Sequence, residues 1–128
     1  MALPPVEEAD PFDLPEWIGV SPVTWSALSG VGDEPLVRGE LSGASDVLPC
    51  DLLAADRAYP LPVLDERWRR AVHQSWAHGQ VLLLEYDGRL TLAVPRTAFT
   101  ADDVLEALRR LAKAVGVKPD RFSAVLRL

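Results

Sequence analysis

An Asp-Gly pair between two apolar runs is the feature of this sequence that most constrains its fold. Tyr86-Asp87-Gly88-Arg89 separates the runs 80–85 and 90–95. Both central residues of a type I′ turn need positive φ, which Asp and Gly tolerate well, so the motif predicts a tight two-residue hairpin. The loop length also sets the register. The predicted cross-strand pairs are Tyr86 with Arg89, Leu84 with Thr91 and Leu82 with Ala93.

One helix is predicted on each side of this hairpin. The first begins after Asp65, the predicted N-cap, and runs to about His78, where Gly79 supplies the left-handed residue past a helix end. The second begins after Thr100. Thr100 with Asp103 three residues later resembles a capping box, and Gly116 ends that helix.

Strands are predicted beyond each helix, at Leu48 to Tyr59 and at Phe122 to Leu128. Residues from about 48 to 128 therefore read strand, helix, strand, strand, helix, strand. This is the element order of ferredoxin-like α+β domains, in which both helices cover one face of a four-stranded antiparallel sheet. Two shorter strands, Val23 to Leu28 and Leu36 to Leu41, are predicted to precede this body and to extend the sheet beside its first strand.

Composition predicts a single folded domain. Of the 128 residues, 48% are hydrophobic and 25% charged, which is ordinary for a globular protein. Residues 1–20 are interpreted as an acidic, proline-rich tail or as a strap docked around Trp17, and residues 21–128 as the domain. The lone cysteine and the lack of a long apolar run predict a cytoplasmic protein without a membrane span.

One face of the predicted hairpin would stay uncovered if both helices lie on the other. That face carries Leu82, Leu84, Tyr86, Thr91 and Ala93. Soluble monomers seldom expose a contiguous apolar patch of this kind, so we expect a cover. Two alternatives remain open: the chain's own front, through Trp17 and Trp25, or a second copy of the protein.

No spacing of titratable residues predicts catalytic chemistry. Cys50 is followed by Asp51, whose carboxylate would raise the thiol pKa, so a small buried side chain is the simpler interpretation. His73 and His78 are five residues apart on one helix and so do not form an i, i+4 metal pair. We predict no catalytic residue, no metal site and no cofactor.

Basic residues concentrate on the two predicted helices. With both helices on one face, they would share an outer surface that suits an acidic partner or a phosphate backbone. Two of them have i, i+4 glutamate partners, Glu66 with Arg70 and Glu106 with Arg110, as on any solvated helix face. This predicted basic patch comprises Arg67, Arg69, Arg70, Arg109, Arg110 and Lys113.

Three hypotheses for function follow. The first is a non-catalytic accessory domain that binds another protein or itself, as a homodimer, through the apolar sheet face or the Trp-bearing N-terminal segment. The second is a small-molecule-binding or enzymatic domain with a pocket between sheet and N-terminal segment, lined by Tyr86, Trp25 and Cys50. The third is nucleic acid binding through the basic patch, which the net charge of −6 disfavours.

Overall fold

The computed structural model describes residues 5–32, 34–56 and 64–127. Within them the chain is an α+β fold with three α-helices and one sheet of eight strands. The strands are β1 Val6–Glu8, β2 Val23–Ala27, β3 Leu36–Val37, β4 Gly39–Ser42, β5 Val47–Ala54, β6 Leu82–Tyr86, β7 Arg89–Val94 and β8 Phe122–Val125. The helices are α1 Trp17–Val20, α2 Glu66–Ala77 and α3 Ala101–Ala114, and two 3-10 turns span Pro11–Asp13 and Pro119–Arg121.

The hairpin between β6 and β7 is confirmed. Asp87 and Gly88 have φ values of 56° and 74°, the left-handed pair that a type I′ turn requires. The register is also as predicted: Tyr86 lies opposite Arg89, Leu84 opposite Thr91 and Leu82 opposite Ala93.

Both helix starts are confirmed as well. The Asp65 side chain accepts a hydrogen bond from the Trp68 N–H at 3.0 Å. Thr100 Oγ1 accepts from the Asp103 N–H at 3.1 Å while Asp103 Oδ2 accepts from the Thr100 N–H at 3.0 Å, which completes the capping box. Gly79 and Gly116 follow the two helices with φ of 78°. β5 ends at Ala54 and β8 at Val125, so both strands are shorter than predicted. The remainder of the two predicted strands, residues 57–59 and residue 128, lies outside the described residues.

The ferredoxin-like arrangement is not confirmed. Across the sheet the strands run β1-β6-β7-β5-β4-β2-β8, with β3 beside β5 in line with β4. β5 and β7 are parallel neighbours, so this is not the expected antiparallel sheet. The early strands do extend the sheet beside β5, as expected. β4 thereby takes the place next to β5 that the last strand, β8, would have in a ferredoxin-like sheet. β8 consequently pairs farther out, in parallel with β2.

The expectation that both helices cover one face is wrong. α3 packs on the face that includes Leu52, Leu83 and Leu92, and α2 packs on the face that includes Leu53 and Leu82. The physical reason is that both faces of the central strands are apolar, and each must be removed from water. One helix supplies each cover, which gives three layers: helix, sheet, helix.

The N-terminal segment joins the body. β1 pairs antiparallel with β6 and forms one edge of the sheet. Ile18 in α1 is 1% exposed, and the ring of Trp17 lies directly over Gly43. Of the two interpretations of the N-terminal segment, these contacts match the docked strap and not the loose tail. The proposed division at residue 20 stays a prediction.

Candidate functional site

The predicted partner-binding face is closed within the folded chain. Its five residues are all buried, and the largest exposed fractions among them are 8% for Leu82 and 7% for Tyr86. Val72 of α2 belongs to the same core cluster, and Trp68 and Ala71 pack against it. The premise of an open apolar face is therefore wrong, because α2 and not a partner covers it. The buried residues are Leu82, Leu84, Tyr86, Thr91 and Ala93.

The residues of the predicted small-molecule pocket are not brought together. Trp25 and Cys50 are fully buried in the core on the α3 side of the sheet, whereas Tyr86 lies on the α2 side. Burial raises the pKa of the Cys50 thiol, and the adjacent Asp51 raises it further. Burial likewise raises the pKa of Tyr86. A buried thiol held in its protonated form is a poor nucleophile.

Asp51 is the most unusual charged group of the described chain, because its side chain is fully buried. Its carboxylate accepts from Arg89 Nε at 2.8 Å and Arg89 Nη2 at 3.0 Å, and from Arg38 Nη1 at 2.8 Å. The Gly39 N–H donates to it at 3.1 Å. The hydrogen bond to Asp51 raises the pKa of Arg89. Four donors saturate both oxygens, so this carboxylate holds strands together and has no lone pair left for a substrate.

Asp51, Arg38, Arg89 and the Gly39 backbone form the Asp51 cluster. This cluster explains why the strand opposite β5 is interrupted. β3 and β4 share one register with β5, which places Arg38 opposite Asp51 and Gly39 opposite Cys50. There the Gly39 N–H bonds the Asp51 carboxylate, and the Cys50 carbonyl accepts from the indole Nε1 of Trp25 at 2.8 Å. Side chains thus replace the backbone ladder at this point.

The predicted basic patch is divided by the sheet. Its α2 arginines lie on the helix of one face and its α3 members on the helix of the other, so they do not share an outer surface. Arg70 pairs with Glu66 at 3.7 Å, and Arg67 stacks on Trp68. The α2 group is Arg67, Arg69 and Arg70; the α3 group is Arg109, Arg110 and Lys113.

The α3 group lines a groove that we call the basic groove. It lies between the turn after α2, the outer side of α3 and the turn before β8, with a volume of about 480 Å³. Apolar surface predominates in its lining, with Val117, Pro119 and Gly79 contributing. Its charged residues are Arg109, Arg110, Lys113, Lys118 and Glu106.

The charges of the basic groove are not balanced locally. Four cations face one carboxylate, a formal local charge of +3 on a chain whose net charge is −6. Glu106 pairs with Arg110 at 3.0 Å and with Arg109 at 3.4 Å. Neither Lys113 nor Lys118 forms an ion pair with a residue that the structure describes, and both are exposed. The two lysines therefore present positive charge to solvent.

Arg110 has a different role from its neighbours. Its Nη1 donates to the Trp76 carbonyl at 2.7 Å and to the Gln80 carbonyl at 3.0 Å, and its guanidinium lies 3.6 Å from the centroid of the Trp76 ring. These contacts tie the C-terminal end of α2 to α3 across the end of the sheet. Arg110 builds the wall of the groove, while Lys113 and Lys118 supply its unpaired charge.

Three of the four cations of the basic groove belong to the basic patch predicted from the sequence, whereas its apolar floor was not predicted. Val117 and Pro119 follow α3 in the chain, where the sequence signal used above, Gly116, marks only the end of the helix. The groove depends on the turn after α2 approaching that segment. Such proximity between residues 79 and 117 cannot be read from local patterns.

Comparisons with known proteins give no relative: no family model, no curated protein and no solved structure matches this chain. Among the residues that the structure describes, no helix is both long and apolar enough to cross a membrane. No group of three His, Cys, Asp or Glu side chains in the described ranges is arranged to hold a metal ion.

Proposed function

We propose that this protein is a non-catalytic protein-binding module, and that the basic groove binds an acidic segment of a partner protein that also carries an apolar side chain. The observation that carries the proposal is the local charge of +3 around an apolar floor on an otherwise acidic chain. An acidic segment would be attracted by the rim, while an apolar side chain would be buried against Val117 and Pro119.

The two parts of the groove have different energetic roles. Exposed rim charges such as Lys113 and Lys118 chiefly raise the association rate and make binding depend on salt. Burial of an apolar side chain on the floor contributes the larger share of affinity, at about 25 cal/mol per Å² of apolar area. A purely acidic segment should therefore bind more weakly than one that also carries a phenylalanine or leucine.

A protein partner is favoured over nucleic acid by the distribution of charge. Nucleic acid binding typically relies on about 6–10 phosphate contacts. The groove has four cations, of which Arg110 is already engaged with two carbonyls and Glu106. The rest of the surface carries the excess of acidic residues and would repel an extended polyanion.

Fluorescence anisotropy tests the proposal directly. The probe is a short labelled peptide with glutamates on both sides of one phenylalanine, titrated with the full chain. We expect saturable binding that weakens as salt is added, and weakens about tenfold or more in Lys113→Glu combined with Lys118→Glu. Arg70→Glu reverses one charge on the opposite helix, half of the change in the double variant, and should stay within about twofold of the wild type.

Three results would contradict the proposal. One is no binding of the peptide by the folded wild-type chain. Another is an equal loss of affinity in Arg70→Glu, which would show that only overall charge matters. The third is tighter binding of a labelled DNA duplex than of the peptide, which would assign the groove to nucleic acid.

A further inference from the structure

Phe12 is the most exposed large apolar side chain among the described residues, at 95%. It lies in the middle of the 3-10 turn Pro11–Asp13, between two carboxylates, Asp10 and Asp13. An aromatic ring between acids has the composition that the basic groove is proposed to bind. The chain thus carries both a receptor surface and a matching ligand.

The turn around Phe12 is held in shape by local contacts. Asp10 Oδ1 accepts a hydrogen bond from the Phe12 N–H at 2.9 Å, and the Asp13 N–H donates to the Asp10 carbonyl at 3.0 Å. Pro11 fixes one further backbone angle. β1 before the turn and the buried Ile18 after it fasten both ends to the body. Binding through a preformed turn costs less conformational entropy than ordering a free segment.

The Phe12 turn and the basic groove meet at the same helix end. Pro11, Phe12 and Leu14 line a cleft together with Ala114 and Val115, at the C-terminal turn of α3. The basic groove includes Lys113 and Val117, which flank that turn in sequence. The ring of Phe12 is nonetheless exposed to solvent, so it does not occupy the groove of its own chain.

We propose that the occupant of the basic groove is the Phe12 turn of a second copy of this chain. This inference rests on the proposed function of the groove and names its partner. In a two-fold dimer whose axis passes near the end of α3, each Phe12 lies on the floor of the other copy's groove. Asp10 and Asp13 then face Lys113 and Lys118. Such an interface is isologous, so both contacts form together or not at all.

A charge-exchange experiment tests this pairing. Sedimentation velocity is run on the full chain over about a hundredfold range of concentration, because the dimer population follows mass action. The wild type should dimerise with rising concentration. Asp13→Lys and Lys113→Glu should each stay monomeric where the wild type is dimeric, because like charges then meet in both contacts.

The equimolar mixture of those two variants is the decisive sample. In the mixed dimer, Lys at position 13 of one copy faces Glu at position 113 of the other, and the second contact retains Asp13 against Lys113. Dimerisation should therefore return on mixing. Arg70→Glu is the matched control and should dimerise like the wild type.

Phe12→Ser separates binding from folding. Since the ring is exposed, its loss should leave the far-UV circular dichroism unchanged while the dimer association constant falls about tenfold or more. A wild type that stays monomeric throughout would overturn the second-copy assignment, as would reversal variants that dimerise normally or a mixture that stays monomeric. The peptide and the second copy would compete for one groove, so the anisotropy titration is run at chain concentrations at which the protein is monomeric. A chain that never dimerises but whose groove still binds the acidic peptide leaves the proposed function intact and refutes only this inference.

Discussion

Arg89 lies side-on against Asp51, with Nε 2.8 Å from one carboxylate oxygen and Nη2 3.0 Å from the other. The same Nη2 also donates to the Gly39 carbonyl at 3.2 Å. One guanidinium thereby joins β7, β5 and the start of β4. The Asp51 cluster is a cross-strand lock at the centre of the sheet. It lies between β3 and β4, where the backbone ladder that these two strands form with β5 is interrupted.

Asp51→Asn should lower the free energy of unfolding by about 2–4 kcal/mol, because it leaves two guanidinium groups without their buried counter-charge. Both arginine side chains keep some solvent access, at 28% and 37%, which moderates the loss. Urea denaturation followed by tryptophan fluorescence measures the change. Asp87→Asn is the control: Asp87 is half exposed and 3.6 Å from Arg38, so removing its charge should cost under about 0.5 kcal/mol. Equal effects at the two positions would refute the lock.

Gly39→Ala should destabilise the fold by about 1–3 kcal/mol, because a Cβ at this position would lie 2.5 Å from the indole ring of Trp25. Trp25 is fully buried and tied to the Cys50 carbonyl, so the ring has little room to move. Gly30→Ala is the matched substitution, since no residue other than its chain neighbours has an atom within 4 Å of the added methyl group. It should leave stability unchanged or raise it slightly, by up to about 1 kcal/mol. Thermal unfolding of the two variants side by side decides the point.

Local sequence signals predicted the elements of this fold well. The Asp87-Gly88 turn, its register and the capping box at Thr100 depend on residues that are close in the chain and have strong conformational preferences. The helix ends at Gly79 and Gly116 have the same origin. Each of these features was confirmed because no distant contact competes with it.

The arrangement of those elements could not be predicted in the same way. Whether β4 or β8 lies beside β5 depends on competition between strands far apart in sequence, and both have suitable apolar patterns. The same competition decides which face of the sheet α2 covers. The basic groove could not be predicted either, because the proximity of Gly79 and Val117 depends on how α2 and α3 pack. Phe12 was included in a proline-rich segment whose pairing with β6 has no local signal.

Arg110→Ala should cost about 2–3 kcal/mol, because Arg110 donates hydrogen bonds to the carbonyls of Trp76 and Gln80 and stacks on the Trp76 ring. Arg109→Ala removes the same charge from the next position of α3, where the side chain is 65% exposed, and should cost under about 0.5 kcal/mol. Urea midpoints of the two variants provide the comparison. A larger loss at Arg109 than at Arg110 would show that the tie between α2 and α3 is not made by Arg110.

Native Cys50 should be inert to iodoacetamide at neutral pH and react only after unfolding in urea, as followed by mass spectrometry. Burial, reinforced by Asp51, raises the pKa of this thiol, so the native state holds its proton where an unfolded chain releases it. The stability contribution of the protonated thiol is fully present below the ordinary thiol pKa of about 8.5 and is lost as the pH rises from there toward the raised native value. The free energy of unfolding should thus decline in alkaline solution by a component that is missing in Cys50→Ala. A native thiol that is alkylated as fast as free cysteine would contradict its placement in the core beneath α3.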